Sequence, residues 1–115
     1  MNSEHKEQTM LINWFRLQYP RYNKCLFAIP NGGARHIRTA IKLKEEGLLA
    51  GVSDLFLMIA RDGKHGMFIE MKTKKGKLQQ NQIEFLAQAE VMGYATVVAF
   101  GFDDAQKNII NYLNS

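Results

Sequence analysis

The alternation of helix-period and strand-like segments predicts an α/β fold, and three stretches carry that reading. Over residues 4–19 the apolar side chains Met10, Leu11, Trp14 and Phe15 recur at helical spacing. Residues 54–60 and 66–72 are apolar runs joined by Arg61-Asp62-Gly63-Lys64-His65, whose Asp-Gly pair marks an antiparallel hairpin. A helical pattern over residues 79–92 then separates that hairpin from a β-rich run at 94–100.

Each element has its own punctuation. Ser3 is placed to cap the first helix and Pro20 to stop it. Residues 25–29 read as a short buried strand, closed by the turn signal Pro30-Asn31-Gly32-Gly33. Residues 34–46 form a helix that ends at Gly47. Gly93 ends the third helix, and Asp103 with Gln106 three residues on has the form of a capping box opening a fourth. The expected order is α-β-α-β-β-α-β-α.

A chain of 115 residues with 46% apolar composition can bury one sizeable core, so one domain spanning residues 1–115 is expected. Fifteen Lys and Arg against eleven Asp and Glu give a net charge of +4, which favours polyanionic partners without requiring one. The lone Cys25 lies in an apolar stretch and reads as a small core residue, in keeping with a reducing cytosol. Residues 1–8 are polar and no run reaches the roughly 18 apolar residues of a membrane span. The expectation is a cytoplasmic protein, neither secreted nor embedded. His5, His36 and His65 show no zinc-binding spacing, Cys25 has no recognisable base, and the glycines form no nucleotide-binding fingerprint.

The strands hold charges that a core does not need. Side chains alternate along a strand, so Phe68, Glu70 and Lys72 share one face while Met67, Ile69 and Met71 share the other. With the hairpin centred near Gly63, Asp54 comes opposite Lys72 and diagonal to Glu70; a slip of one residue would turn Asp54 to the Met71 face unless a bulge restored it. Two carboxylates on an apolar sheet are costly to desolvate, and a divalent cation between Asp54 and Glu70 compensates. Oxygen ligands select Mg²⁺ or Mn²⁺ over zinc. A bound ion of this kind, with Lys72 beside it, suits phosphodiester hydrolysis.

Two further residues point the same way. Glu7 lies near the middle of the apolar stripe of the first helix, where a solvated acid would not sit, with Glu4 nearer its edge. Gln82 shares the inward face of Phe85 and Leu86 on the third helix and needs a polar partner. Taken alone, an acid-x-lysine at a strand end is most often a solvated pair, so the case rests on the combination. Arg35, Arg38 and Lys42 gather along one side of the second helix, and Lys74, Lys75 and Lys77 continue a charge run past Lys72. Beside a cleaving site these would neutralise backbone phosphates without reading bases.

With Glu7 in an N-terminal helix, "AIPNGGAR" at 28–35, "GVSDLFL" at 51–57, "IEMK" at 69–72, and Gln82 followed by Phe85, nearly the whole chain resembles a stand-alone virus-type replication-repair nuclease domain (VRR-NUC). This is a branch of the PD-(D/E)xK nuclease superfamily. The resemblance implies a restriction-endonuclease-like core with a mixed central sheet flanked by helices. It implies a Mg²⁺- or Mn²⁺-dependent DNA endonuclease in which Asp54, Glu70 and the Met71 main-chain carbonyl ligate metal. Lys72 would be the base-like or charge-stabilising residue, Glu7 an accessory acid, directly or through water, and Gln82 a border of the site. Ser53 stands where the superfamily name calls for proline, and the acid that follows is intact. The glycines of "PNGG" would let Asn31, Gly32, Gly33 and Arg35 approach a phosphate. Stand-alone relatives imply a homodimer acting on branched DNA such as four-way junctions, of phage or bacterial origin. The rival readings are a catalytically silent DNA-binding or subunit-interaction module, and a nuclease acting on flaps, single strands or RNA.

Overall fold

The computed structural model describes residues 3–30 and 37–115. The elements follow the expected order: α1 (Ser3–Gln18), β1 (Leu26–Ala28), α2 (Ile37–Glu45), β2 (Leu55–Leu57), β3 (Met67–Lys72), α3 (Gln80–Val91), β4 (Ala95–Phe100) and α4 (Phe102–Leu113). A single 3₁₀ turn at Pro20–Tyr22 follows α1, with the proline in its first position. The strands form one mixed sheet in the order β1-β2-β3-β4. β1 with β2 and β2 with β3 are antiparallel, while β3 and β4 are parallel and connected through α3.

One face of the sheet is dry. Leu11 and Phe15 of α1 and Ile109 of α4 are fully buried with Leu55, Leu57, Ile69 and Met71. Tyr112 closes this core at the far end of α4, and its hydroxyl donates to the Ile59 carbonyl at 2.6 Å. No helix among the described residues is long and apolar enough to cross a membrane.

The hairpin differs from the sequence expectation in register. Arg61 and Lys64 exchange both main-chain hydrogen bonds around Asp62 and Gly63. The φ values of 49° and 75° at those two residues are those of a tight mirror-image turn. Carried strictly outward, this turn would set Asp54 opposite Met71, on the dry face. The ladder instead pairs Leu57 with Met67 and Leu55 with Ile69. Three residues, Met58, Ile59 and Ala60, lie on the β2 side where only His65 and Gly66 lie on the β3 side. That extra residue is a bulge, and extending the resulting register by one step brings Asp54 opposite Glu70. Asp54 is therefore directly across from Glu70 and diagonal to Lys72, the reverse of the expected arrangement, with all three on the face away from the dry core.

The start of α4 is a second correction. The helix opens at Phe102 after Gly101, one residue before Asp103, and the Asp103–Gln106 capping box does not form. Instead the Phe102 N–H donates to Glu7 Oε1 at 2.6 Å, across from α1. Asp104 Oδ2 accepts the N–H of Phe100 at 2.9 Å.

Candidate active site

Asp54, Glu70 and Lys72 meet where β2 begins and β3 ends. Asp54 is held in the plane of the sheet, since its Oδ2 accepts the Met71 N–H at 2.7 Å. The N–H and C=O of one strand residue point to the same side, so the Met71 carbonyl is also directed toward the Asp54 segment. Gly51 sets the approach of that segment to α3. Its φ is 95°, and a Cβ there would lie 2.6 Å from the Asn81 carbonyl oxygen. Only glycine tolerates both, and the close contact brings the residues before Asp54 against the first turn of α3, next to Gln82.

Gln82 connects helix and strand. Its Oε1 accepts the Gln79 N–H at 2.8 Å, capping α3, while its Nε2 donates to Glu70 Oε2 at 3.2 Å. Glu70 is 2% exposed, and its other oxygen, Oε1, has no hydrogen-bond partner among the described residues. A buried carboxylate oxygen without a donor is rare and costly. Burial first, then the Asp54 charge and a hydrogen bond to Asp54, push the Glu70 carboxyl up to about 8. Lys72 acts against this shift and Glu4 adds to it. Without a cation, Glu70 is thus held mainly in its protonated form at neutral pH.

The donor set suits a hard divalent cation. Such an ion would be held by Asp54 and Glu70 and would supply the positive charge that Glu70 Oε1 lacks, with main-chain oxygen and water as the further ligands Mg²⁺ commonly takes. Among the described residues no group of three or more His, Cys, Asp and Glu side chains that could hold a metal ion is found, so the acids at this site are the pair Asp54 and Glu70.

The two acids of α1 separate. Glu4 is the one whose charge bears on Glu70. Glu7 reaches instead to the N-terminus of α4 and lines a groove of about 790 Å³ with Lys74, Lys75, Gly101 and Asp103, at the ends of β3 and β4. That groove contains neither Asp54 nor Glu70. A helical wheel gives the direction of each acid but not how far along the helix the sheet ends. Arg38, Lys42, Lys74, Lys75 and Lys77 are exposed. Asn31, Gly32, Gly33 and Arg35 lie outside the described residues. The contact of Gly51 with Asn81 was not singled out from the sequence, although a glycine shortly before the key acid was its signal.

Comparison with known proteins agrees with this fold. The VRR-NUC domain family matches residues 2–103. Among solved structures, a VRR-NUC domain protein superposes with a TM-score of 0.87 at 29% identity, covering 99% of this chain and 90% of its own. No curated protein matches in sequence. The fold and a family match over most of the chain agree, and the chain belongs to the VRR-NUC nuclease family.

Proposed function

We propose that this protein is a Mg²⁺- or Mn²⁺-dependent DNA endonuclease, selective for branched DNA such as four-way junctions and working as a homodimer. The observation that carries the reading is the pair Asp54 and Glu70, brought to one sheet face by a bulge, with Glu70 buried and one of its oxygens unpartnered. Asp54, Glu70 and the Met71 carbonyl would hold the cation. When bound, that ion supplies charge neutralisation at the phosphate and a water of lowered pKa.

The protein's own groups do the rest. The Met71 N–H fixes one Asp54 oxygen, and the Gln82 amide fixes Glu70 Oε2, so both carboxylates are oriented before substrate arrives. Lys72 presents an ammonium on the same face, where it stabilises charge growing on the phosphate or orients the attacking hydroxide. Glu4 is the accessory acid on this reading, and Glu7 acts through α4 by anchoring its first turn. Lys74, Lys75, Lys77, Arg38 and Lys42 neutralise phosphates along the bound strand, which makes binding steeply salt-dependent. Nothing in this set reads base edges, in keeping with selection by DNA structure.

The test is to incubate the protein with labelled four-way junction, flap, duplex and single-stranded DNA in Mg²⁺, Mn²⁺ or EDTA. The expected result is metal-dependent product, lost in Asp54→Asn and Lys72→Ala proteins that retain native circular dichroism. Binding without cleavage by the wild-type protein would support a silent module instead, and cleavage persisting in Asp54→Asn would overturn the assignment of the site.

A further inference from the structure

The face that carries Asp54 and Glu70 continues as a row of aromatic rings. Phe27 pairs with Phe56 across β1 and β2, and Phe56 with Phe68 across β2 and β3, so the three share one face. Their rings are in contact, with centroids 5.9 Å apart for Phe27 and Phe56 and 4.6 Å for Phe56 and Phe68. Phe68 stands two residues before Glu70 on β3, which places this row about 7 Å along the strands from the acid row. The acid row itself begins on β1 at Ile29, whose N–H donates to the Asp54 carbonyl at 2.9 Å.

The row is unequally covered. Phe68 packs edge-on against Phe85 of α3, but Phe27 is 39% exposed and Met58, on the same face, is 53% exposed. An aromatic ring left open at the far end of a row that starts beside a candidate cleavage site has little to gain from water. At the β1 edge one open ring and a methionine, with Phe100 (44% exposed) open separately on β4 across from Lys72, offer far less than the roughly 800 Å² per partner of a stable protein interface. They match the size of a single base.

We infer that Phe27, diagonal to Asp54 and two strands from Glu70, is a stacking platform for one unpaired nucleobase of the strand being cut. This rests on the reading of Asp54, Glu70 and Lys72 as the cleaving centre, and it narrows the substrate. A base paired and stacked within continuous duplex cannot lie on the ring, whereas a base splayed out at a junction, flap or single strand can. Selection for branched or unpaired DNA then has a physical source in this chain, since the lysines bind any phosphate backbone equally.

The experiment compares wild type with Phe27→Ala, Phe27→Leu and Phe27→Tyr, on junction, flap and single-stranded DNA that carries 2-aminopurine beside the cut position. Fluorescence is read first in the Asp54→Asn background, which binds without cutting. Stacking predicts quenching of 2-aminopurine that Phe27→Ala and Phe27→Leu relieve and Phe27→Tyr retains. It also predicts a drop of about tenfold or more in kcat/KM for the Ala and Leu proteins with otherwise active Asp54, again spared in Tyr. Leu keeps the apolar volume, so equal behaviour of Leu and wild type would overturn the inference while leaving the nuclease reading intact. A change of oligomeric state in Phe27→Ala by sedimentation would overturn it in favour of a second copy on this face. Loss of cleavage in every variant with quenching unchanged would also count against it, because the defect would then lie outside base contact.

Discussion

Glu70 and Met71 are neighbours on β3, almost equally buried, and face opposite sides of one sheet. Met71 enters a core with Phe15, Leu11, Leu57 and Ile109. Glu70 enters a polar corner where Gln82 satisfies one of its oxygens and nothing satisfies the other. The first face holds the fold together; the second is held in place by it, at an energetic cost the first must cover. The comparison teaches that burial alone does not mark a core residue. What sets Glu70 apart is that the buried group left without a partner is ionisable, whereas the Ser53 hydroxyl, likewise buried and unpartnered among the described residues, is neutral.

The largest expected effect is on the dry face. Phe15→Ala should cost about 3 to 5 kcal/mol of stability in a denaturant titration, because the cavity lies where α1, the 3₁₀ turn and the sheet meet. Cleavage per folded molecule should hardly change. A loss of specific activity at full folding would show that the two faces are less separable than described.

On the polar face the expected effect has the opposite character. Because its folded-state carboxyl is raised to about 8 from an ordinary value of 4.5, Glu70 adds stability in full below about pH 4.5. That contribution fades as the pH rises toward 8, since the unfolded chain gives up the proton more readily. The metal-free protein should therefore lose stability steadily as the pH rises across this window. Glu70→Gln should flatten the slope, and added Mg²⁺ should cancel it in wild type alone. Thermal melts at pH 5, 6.5 and 8 measure this, and an identical slope in Glu70→Gln would remove the carboxyl from the account.

The smallest effect separates the acids of α1. Glu7→Gln weakens a charge-assisted bond to the Phe102 N–H and should cost about 1 to 2 kcal/mol of stability. Glu4→Gln should cost little stability but lower the pH at which Glu70 titrates, since the Glu4 charge helps to raise it. The reverse pattern would return Glu7 to the site.

These contrasts also explain how far the sequence was legible. Element order and type followed from period and punctuation, because Asp62-Gly63, Gly47 and Gly93 each carry a positive φ where the chain turns. Which side chains share a face on β3 followed from alternation. The pairing of β2 with β3 did not, because a bulge is one residue among Met58, Ile59 and Ala60 with no turn signature of its own, and it is pinned from α4 by Tyr112 and by Arg61 Nε donating to the Leu113 carbonyl. The expected centre near Gly63 and the observed ladder differ by two residues, which is why Asp54 kept its face while changing its partner. The cap of α4 was unreadable for a similar reason: its acceptor, Glu7, is distant in sequence.

The most direct test of the shared-cation claim is calorimetric titration of Mn²⁺ into the protein at pH 6.5 in buffers of differing ionisation enthalpy. Binding should release close to one proton, the one carried by Glu70, and both the binding and the release should vanish in Asp54→Asn and in Glu70→Gln. Binding of unchanged affinity in either variant, or binding by wild type without proton release, would contradict a cation held between these two carboxylates.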